Sequence, residues 1–199
     1  ADYGQPDTST TVLMYEDRDR MDTYARAYLA MTLHKIDEGD SRIKTILSDI
    51  NNAAIVSATG AHWEESGRDW WNMNTDTRST AIVLSALAKL DPENNLNPNV
   101  VRWLMVARKA NGAWESTQET AWALIGLTDW MTATGELKAN YASKLSRNDQ
   151  ELQSGSANAD NLRQTVDLQV KVADLIKDQA NRLVFDRTAG DGRLYYTAH

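Results

Sequence analysis

The stretch "NGAWESTQETAWALIGL", residues 111–127, decides how the chain is read. Gly112 suits the end of one helix. Ser116 and Glu119 have the three-residue spacing of a capping box, and the apolar period that follows runs to about Thr134 before Gly135. A partial copy precedes it. "WEESGRDWWNMNTDTRSTAIVLSALAKL" (63–90) keeps the same order, with Trp63-Glu64 standing for Trp114-Glu115 and Thr80-Ala81 for Thr120-Ala121. Leu84 and Leu87 stand for Leu124 and Leu127, and "YARAYLAMTL" (24–33) is a looser third copy. The repeated unit is an α-hairpin of roughly 40 residues. Such hairpins stack because each buries its apolar face only against neighbours, and a toroid of paired helices is one closed solution.

The other helices are read outward from this pair. Residues 1–20 are polar and ambiguous apart from Val12, Leu13 and Met14. Tyr24, Ala27, Tyr28 and Met31 give a helical period from Asp22 to Ile36, and Asp40 or Ser41 caps a second helix through about Ala54. Residues 55–74 form an extended loop or short hairpin with Gly60 and Gly67 as turn residues. A helix from about Thr77 to Leu90 buries Ala81, Leu84, Leu87 and Ala88. The next has Asn97 as N-cap, Pro98 in its first turn, a buried stripe of Val100, Val101, Leu104 and Met105, and Gly112 as C-cap.

After residue 140 the composition shifts. Residues 144–161 are polar and read as a linker. Val166, Leu168, Val170 and Val172 alternate with Asp167, Gln169 and Lys171, the pattern of a half-buried strand. "NRLVFDR" reads as a second strand, "AGDG" (189–192) as a tight turn and "RLYYT" as a third strand. The fold class is therefore mainly α: a partial α/α toroid over residues 1–140, then a small antiparallel β segment over 141–199.

Composition narrows the function classes. The 199 residues are 42% hydrophobic and 25% charged, enough for a real core, with a formal net charge of -7 and interleaved signs. That disfavours a nucleic-acid groove or an anionic membrane surface as partner. No apolar run approaches the roughly 20 residues a membrane-spanning helix needs, and no signal peptide opens the sequence. Cysteine is absent, which removes disulfides, zinc thiolates and cysteine nucleophiles. One Phe stands against seven Trp and seven Tyr, so several rings are expected to use their polar edges.

Residues 63–127 resemble the C-terminal part of the thioester domain of the alpha-macroglobulin and complement family. The Trp-Glu turn, the Thr-Ala helix, "VVRWL" (100–104) and "NGAWESTQET" carry the likeness in order and spacing. "VDLQVKV" and "NRLVFDRTAGDGRLYYT" look like the strands that complete that family's CUB-like β-sandwich. The likeness spans roughly residues 20–199. It implies a C-terminal portion of a longer broad-spectrum endopeptidase inhibitor that works by trapping proteases. The family's Cys-Gly-Glu-Gln reactive centre and its assisting histidine would precede the stretch matched here. The resemblance thus implies scaffold, not an enzyme, with no catalytic, cofactor-binding or metal-binding residue in this chain. Its implied partners are the remainder of the parent chain and, through it, target proteases. Self-association of the fragment is expected as well, because a broken toroid leaves an apolar face uncovered. The cysteine-free, sequon-free composition suggests a bacterial, extracytoplasmic member.

Other chemistries compete for the same residues. Glu64, Glu65, Glu115 and Glu119 lie beside aromatics, and inverting glycosidases built on helical toroids hold two carboxyls roughly 6.5–9.5 Å apart. The simpler reading gives Glu119 to a capping box and Glu64 and Glu115 to helix N-termini. Terpene cyclases use an Asp-x-Asp-Asp-Thr-Ala acid on a similar toroid. Here "NTDTRSTA" (74–81) keeps Asp76 but places Arg78 beside the would-be carbocation, which a cation destabilises. Zinc-dependent prenyl transfer requires the absent Cys. Among the histidines, His34 reads as a helix-end residue, His199 is the last residue, and His62 beside Trp63 is the one worth testing. Trp103 reads as core. Trp70-Trp71 reads as a loop anchor, or else as an exposed contact patch.

Overall fold

The computed structural model describes residues 6–65, 71, 73–161, 164–194 and 196. They form six α-helices and five strands in two compact units, residues 1–133 and 134–199. The protein is mainly α with a small β part.

The first unit is helical. Helix α1 (Thr8–Glu16) starts where Asp7 accepts a hydrogen bond from the Thr10 amide. This local cap orders part of the stretch that composition left ambiguous. Helices α2 (Thr23–Ile36) and α3 (Ser41–Asn52) form a hairpin, with Asp40 capping α3 through the Arg42 amide. Strands β1 (Ile55–Ser57) and β2 (Gly60–His62) then pair antiparallel across a short turn. Helices α4 (Asp76–Leu90), α5 (Asn97–Val106) and α6 (Thr117–Ala133) complete the unit. Helix α4 lies between α2 and α6, while α3 packs on α2 and α5 on α4. Flanked this way, α4 is buried on all sides from Arg78 to Ala88. Its closest neighbour is α6, and Gly126 makes that approach possible: a Cβ there would lie 2.4 Å from the Ala81 carbonyl oxygen.

Helix α5 corrects three expectations. Asn97 is not the cap but lies in the first turn, fully buried, with its amide donating to the Asp91 and Pro92 carbonyls. Met105 is 44% exposed, because it lies off the face that α5 buries with Val100, Val101 and Leu104. Gly112 is no C-cap: the helix stops at Val106, and the glycine (φ +86) serves a separate turn closed by the Arg108 side chain on its carbonyl.

The second unit departs further from its sequence pattern. Residues read as a linker form a hairpin, β3 (Tyr141–Arg147) and β4 (Gln150–Ala157), and β5 (Leu183–Arg187) adds to the other edge of β3. Asn148 and Asp149, both at positive φ, make the two-residue turn that matches strand twist. Residues 166–172, read as a strand, carry no ladder. Val166, Leu168, Val170 and Val172 are all exposed, and among the described residues 165–170 make no backbone hydrogen bond. Alternation gives a chain two faces, but only a partner edge makes it a strand. "NRLVFDR" does form β5. Of "RLYYT", the described Arg193, Leu194 and Tyr196 lie outside any strand, and Tyr196 stacks on Phe185 at 3.9 Å. Tyr195 and Thr197 lie outside the described residues. The "AGDG" turn folds over the start of β3, where Gly190 (φ +152) would place a Cβ 1.9 Å from the Asn140 carbonyl oxygen.

Candidate functional site

The sequence repeat becomes the same local structure twice. The Trp63 amide donates to Thr80 Oγ1 at 3.1 Å, and its indole Nε1 donates to the Ile50 carbonyl at 2.7 Å. The Trp114 amide donates to Thr120 Oγ1 at 3.1 Å, and its Nε1 to the Leu104 carbonyl at 2.9 Å. Ile50 and Leu104 each lie two residues before the last residue of their helix, among the carbonyls that lack an intrahelical partner. One buried tryptophan therefore closes the end of an outer helix and, through a threonine, opens the inner helix that follows. Trp63 is fully buried and Trp114 nearly so, and Trp130 is also core.

The candidate acids serve the same frame. Glu65 accepts from the Thr23 and Tyr24 amides at 3.0 and 3.2 Å, capping α2 from 41 residues away in sequence. Glu119 is buried; its amide donates to the Ser116 hydroxyl oxygen, and its carboxylate accepts from the Glu115 amide. The capping box is thus displaced by one residue on its return bond. Glu64 bonds His62 rather than a helix end, and exposed Glu115 pairs with Lys109 at 2.6 Å. None of these four lines the groove between α2, α4 and α6. Among the described residues no three His, Asp or Glu side chains converge as a metal site would require.

His62 stacks flat on Trp103 with ring centroids 4.6 Å apart, and its Nδ1 is buried without a partner among the described residues. Trp103 is half-buried between this ring and the core. Trp71 is 96% exposed on an irregular turn, so it anchors no core; Trp70 lies outside the described residues, as does His199.

The cavity is a groove of about 840 Å³ between α2, α4 and α6, with Tyr28, Ile82, Trp122 and Ile125 in its walls and His34 at one end. Lys89 on α4 pairs with Asp129 on α6 at 2.7 Å, and Ser85 bonds both. Burial pushes the Tyr28 phenol up, and the nearby Arg78 charge opposes that shift. Arg78 itself lies between the Tyr24 and Trp122 rings, 4.6 and 5.8 Å from their centroids, and donates to Asn74 Oδ1 at 2.9 Å. Its position in the would-be acid motif was legible; its lack of a carboxylate partner was not.

No helix among the described residues is long and apolar enough to cross a membrane. No curated protein matches the chain. The A-macroglobulin TED domain family matches residues 7–130, which includes both tryptophan brackets and all six helices but the last turn of α6. That family is one of inhibitors rather than enzymes, and generally extracellular. With the match covering most of the chain, this protein belongs to the A-macroglobulin TED domain family.

Proposed function

We propose that the chain is the structural frame of a protease-trapping macroglobulin and performs no covalent chemistry itself. The observation that carries this reading is the doubled tryptophan bracket inside the family match. The residues that looked most catalytic are spent on holding helices together. Glu65 and Glu119 cap helix starts, and Trp63 and Trp114 close helix ends.

The second unit supports a place in a larger β-sandwich of CUB type. Its three-stranded sheet leaves β4 and β5 with open edges, and the exposed alternating segment 166–172 has the pattern of a strand awaiting a ladder. An exposed stripe on α6, Ala121, Leu124, Ile125 and Thr128 at helical spacing, suits a further helix of the ring or a second copy of the chain. The absence of cysteine and sequons favours a bacterial member, and the family favours an extracytoplasmic one. Partners are then the rest of the parent chain and, through it, endopeptidases.

The test is a trapping assay with the full-length parent and an endopeptidase. A caged protease still cleaves a small chromogenic peptide but no longer digests a protein substrate. The parent is expected to block only the second reaction, and the 199-residue chain neither. Inhibition by the isolated chain, or turnover of a glycoside or polyprenyl substrate by it, would overturn the reading.

A further inference from the structure

We infer that Arg78, held over the rings of Tyr24 and Trp122 at the start of α4, forms a binding site for a carboxylate beside the groove between α2, α4 and α6. Arg78 is only 8% exposed, yet among the described residues no carboxylate pairs with it. Its Nη1 is used on Asn74. Its Nε is buried without an acceptor, and Nη2 makes no hydrogen bond among the described residues. Nε and Nη2 form one edge of the guanidinium, the edge that takes a planar carboxylate through two parallel bonds.

A second donor is left over beside it. Asn74 Oδ1 accepts from both Arg78 and Ser79, and Asn74 Nδ2 is buried with no acceptor. Buried polar groups in folded proteins are nearly always bonded, so several unmatched donors around one cation mark a missing acceptor. Arg78 also lies in the first turn of α4, where the helix dipole favours an anion. Ile82, one helical turn along the same face, and Tyr28 and Trp122 extend the site as an apolar wall. The ligand is therefore a carboxylate carried on an apolar or aromatic group. It is either a free small molecule or an acidic side chain of another polypeptide segment. This inference goes beyond the frame reading and does not depend on it.

The experiment follows the Arg78 Nε–H signal by NMR in the ¹⁵N-arginine-labelled 199-residue chain, assigned with Arg78→Lys. The probes are phenylacetate, its neutral counterpart phenylacetamide, sodium chloride at matched ionic strength, and capped Leu-Glu-Phe and Leu-Gln-Phe peptides. We expect a saturable shift of the Arg78 signal with phenylacetate or the Glu peptide, and none with the amide, the salt or the Gln peptide. Affinity should fall at least tenfold in Arg78→Lys and also in Tyr24→Leu, each checked for native circular dichroism. Tighter binding of the Glu peptide assigns the source to a polypeptide; tighter binding of phenylacetate assigns it to a small molecule. If neither carboxylate shifts the signal saturably, or if a folded Arg78→Lys binds as well as the original, the site does not exist. If Arg78→Lys fails to fold, triple-resonance correlation of the Arg78 side chain with its assigned backbone supplies the assignment, and the wild-type titration then decides.

Discussion

Trp63 and Trp114 each find a carbonyl, a threonine and a core within the first unit, whereas Val166, Leu168 and Val170 in the second are exposed and carry no ladder. The difference lies in where the partner is encoded. Around each tryptophan the helical unit closes locally: the bonds to carbonyl and threonine span fewer than 20 residues. A strand is completed only by another edge, however regular its alternation. The helical unit therefore holds its own frame, and the β unit retains an extended segment with no ladder.

The largest expected effect is on that frame. Trp63→Ala removes a fully buried ring and its indole bond to the Ile50 carbonyl, and should lower stability by about 3–5 kcal/mol in chemical denaturation. Trp63→Phe keeps most of the volume but leaves the Ile50 carbonyl without the indole donor, for a loss of about 1–3 kcal/mol. If the Trp63 variants prove neutral while the equivalent Trp114 variants do not, the two brackets are not equivalent and the repeat is only a sequence likeness.

Gly126→Ala comes next. Its Cβ would meet the Ala81 carbonyl, so α4 and α6 must separate, and about 1–3 kcal/mol should be lost despite the better helix propensity of alanine. A rise in melting temperature would show that the two helices are less closely packed than described.

In the β unit, Asn148→Val forces a β-branched residue to φ +49 at the hairpin turn. It should destabilise the sheet by about 1–2 kcal/mol. NMR should show amide shifts confined to residues 134–199, with the helical unit unchanged.

The smallest effect is a matter of pH. Hydrogen bonds from Arg42 hold the Asp40 carboxyl below the usual carboxylate range while it caps α3. A carboxyl with a lower pKa folded than unfolded adds stability that is fully present above about pH 4 and is lost as pH falls through the folded value. Asp40→Asn should therefore flatten the acid limb of the stability curve. An unchanged slope below pH 4 would contradict the capping role.

What was legible in the sequence follows the same division. The helices could be placed because Asp40, Ser116 and Pro98 are local signals at their starts, while Thr75, whose hydroxyl caps α4, was not picked out. The doubled Trp-Glu and Thr-Ala order could be seen too, but not that each indole would reach a carbonyl at the end of an outer helix. Glu65 as a cap for α2 was hidden because its target is remote in sequence. The β3–β4 hairpin did leave a signal, Asn148-Asp149 between two polar runs. Polarity masked it, since the strands bury little beyond Tyr141 and Ser146. Alternation at 166–172 misled for the opposite reason, being a pattern with no edge to complete it. Beside the groove, Arg78 was visible as a residue that spoils a cyclase acid motif. That its donors lack an acceptor emerged only from what surrounds it.

Amide hydrogen exchange on the 199-residue chain tests the central claim most directly. A self-held frame beside an unladdered segment predicts slow exchange throughout α4 and at the Trp63 and Trp114 amides. It predicts exchange near the unstructured rate over residues 165–170. Protection of 165–170 equal to that of β3, or fast exchange at both tryptophan amides, would contradict it.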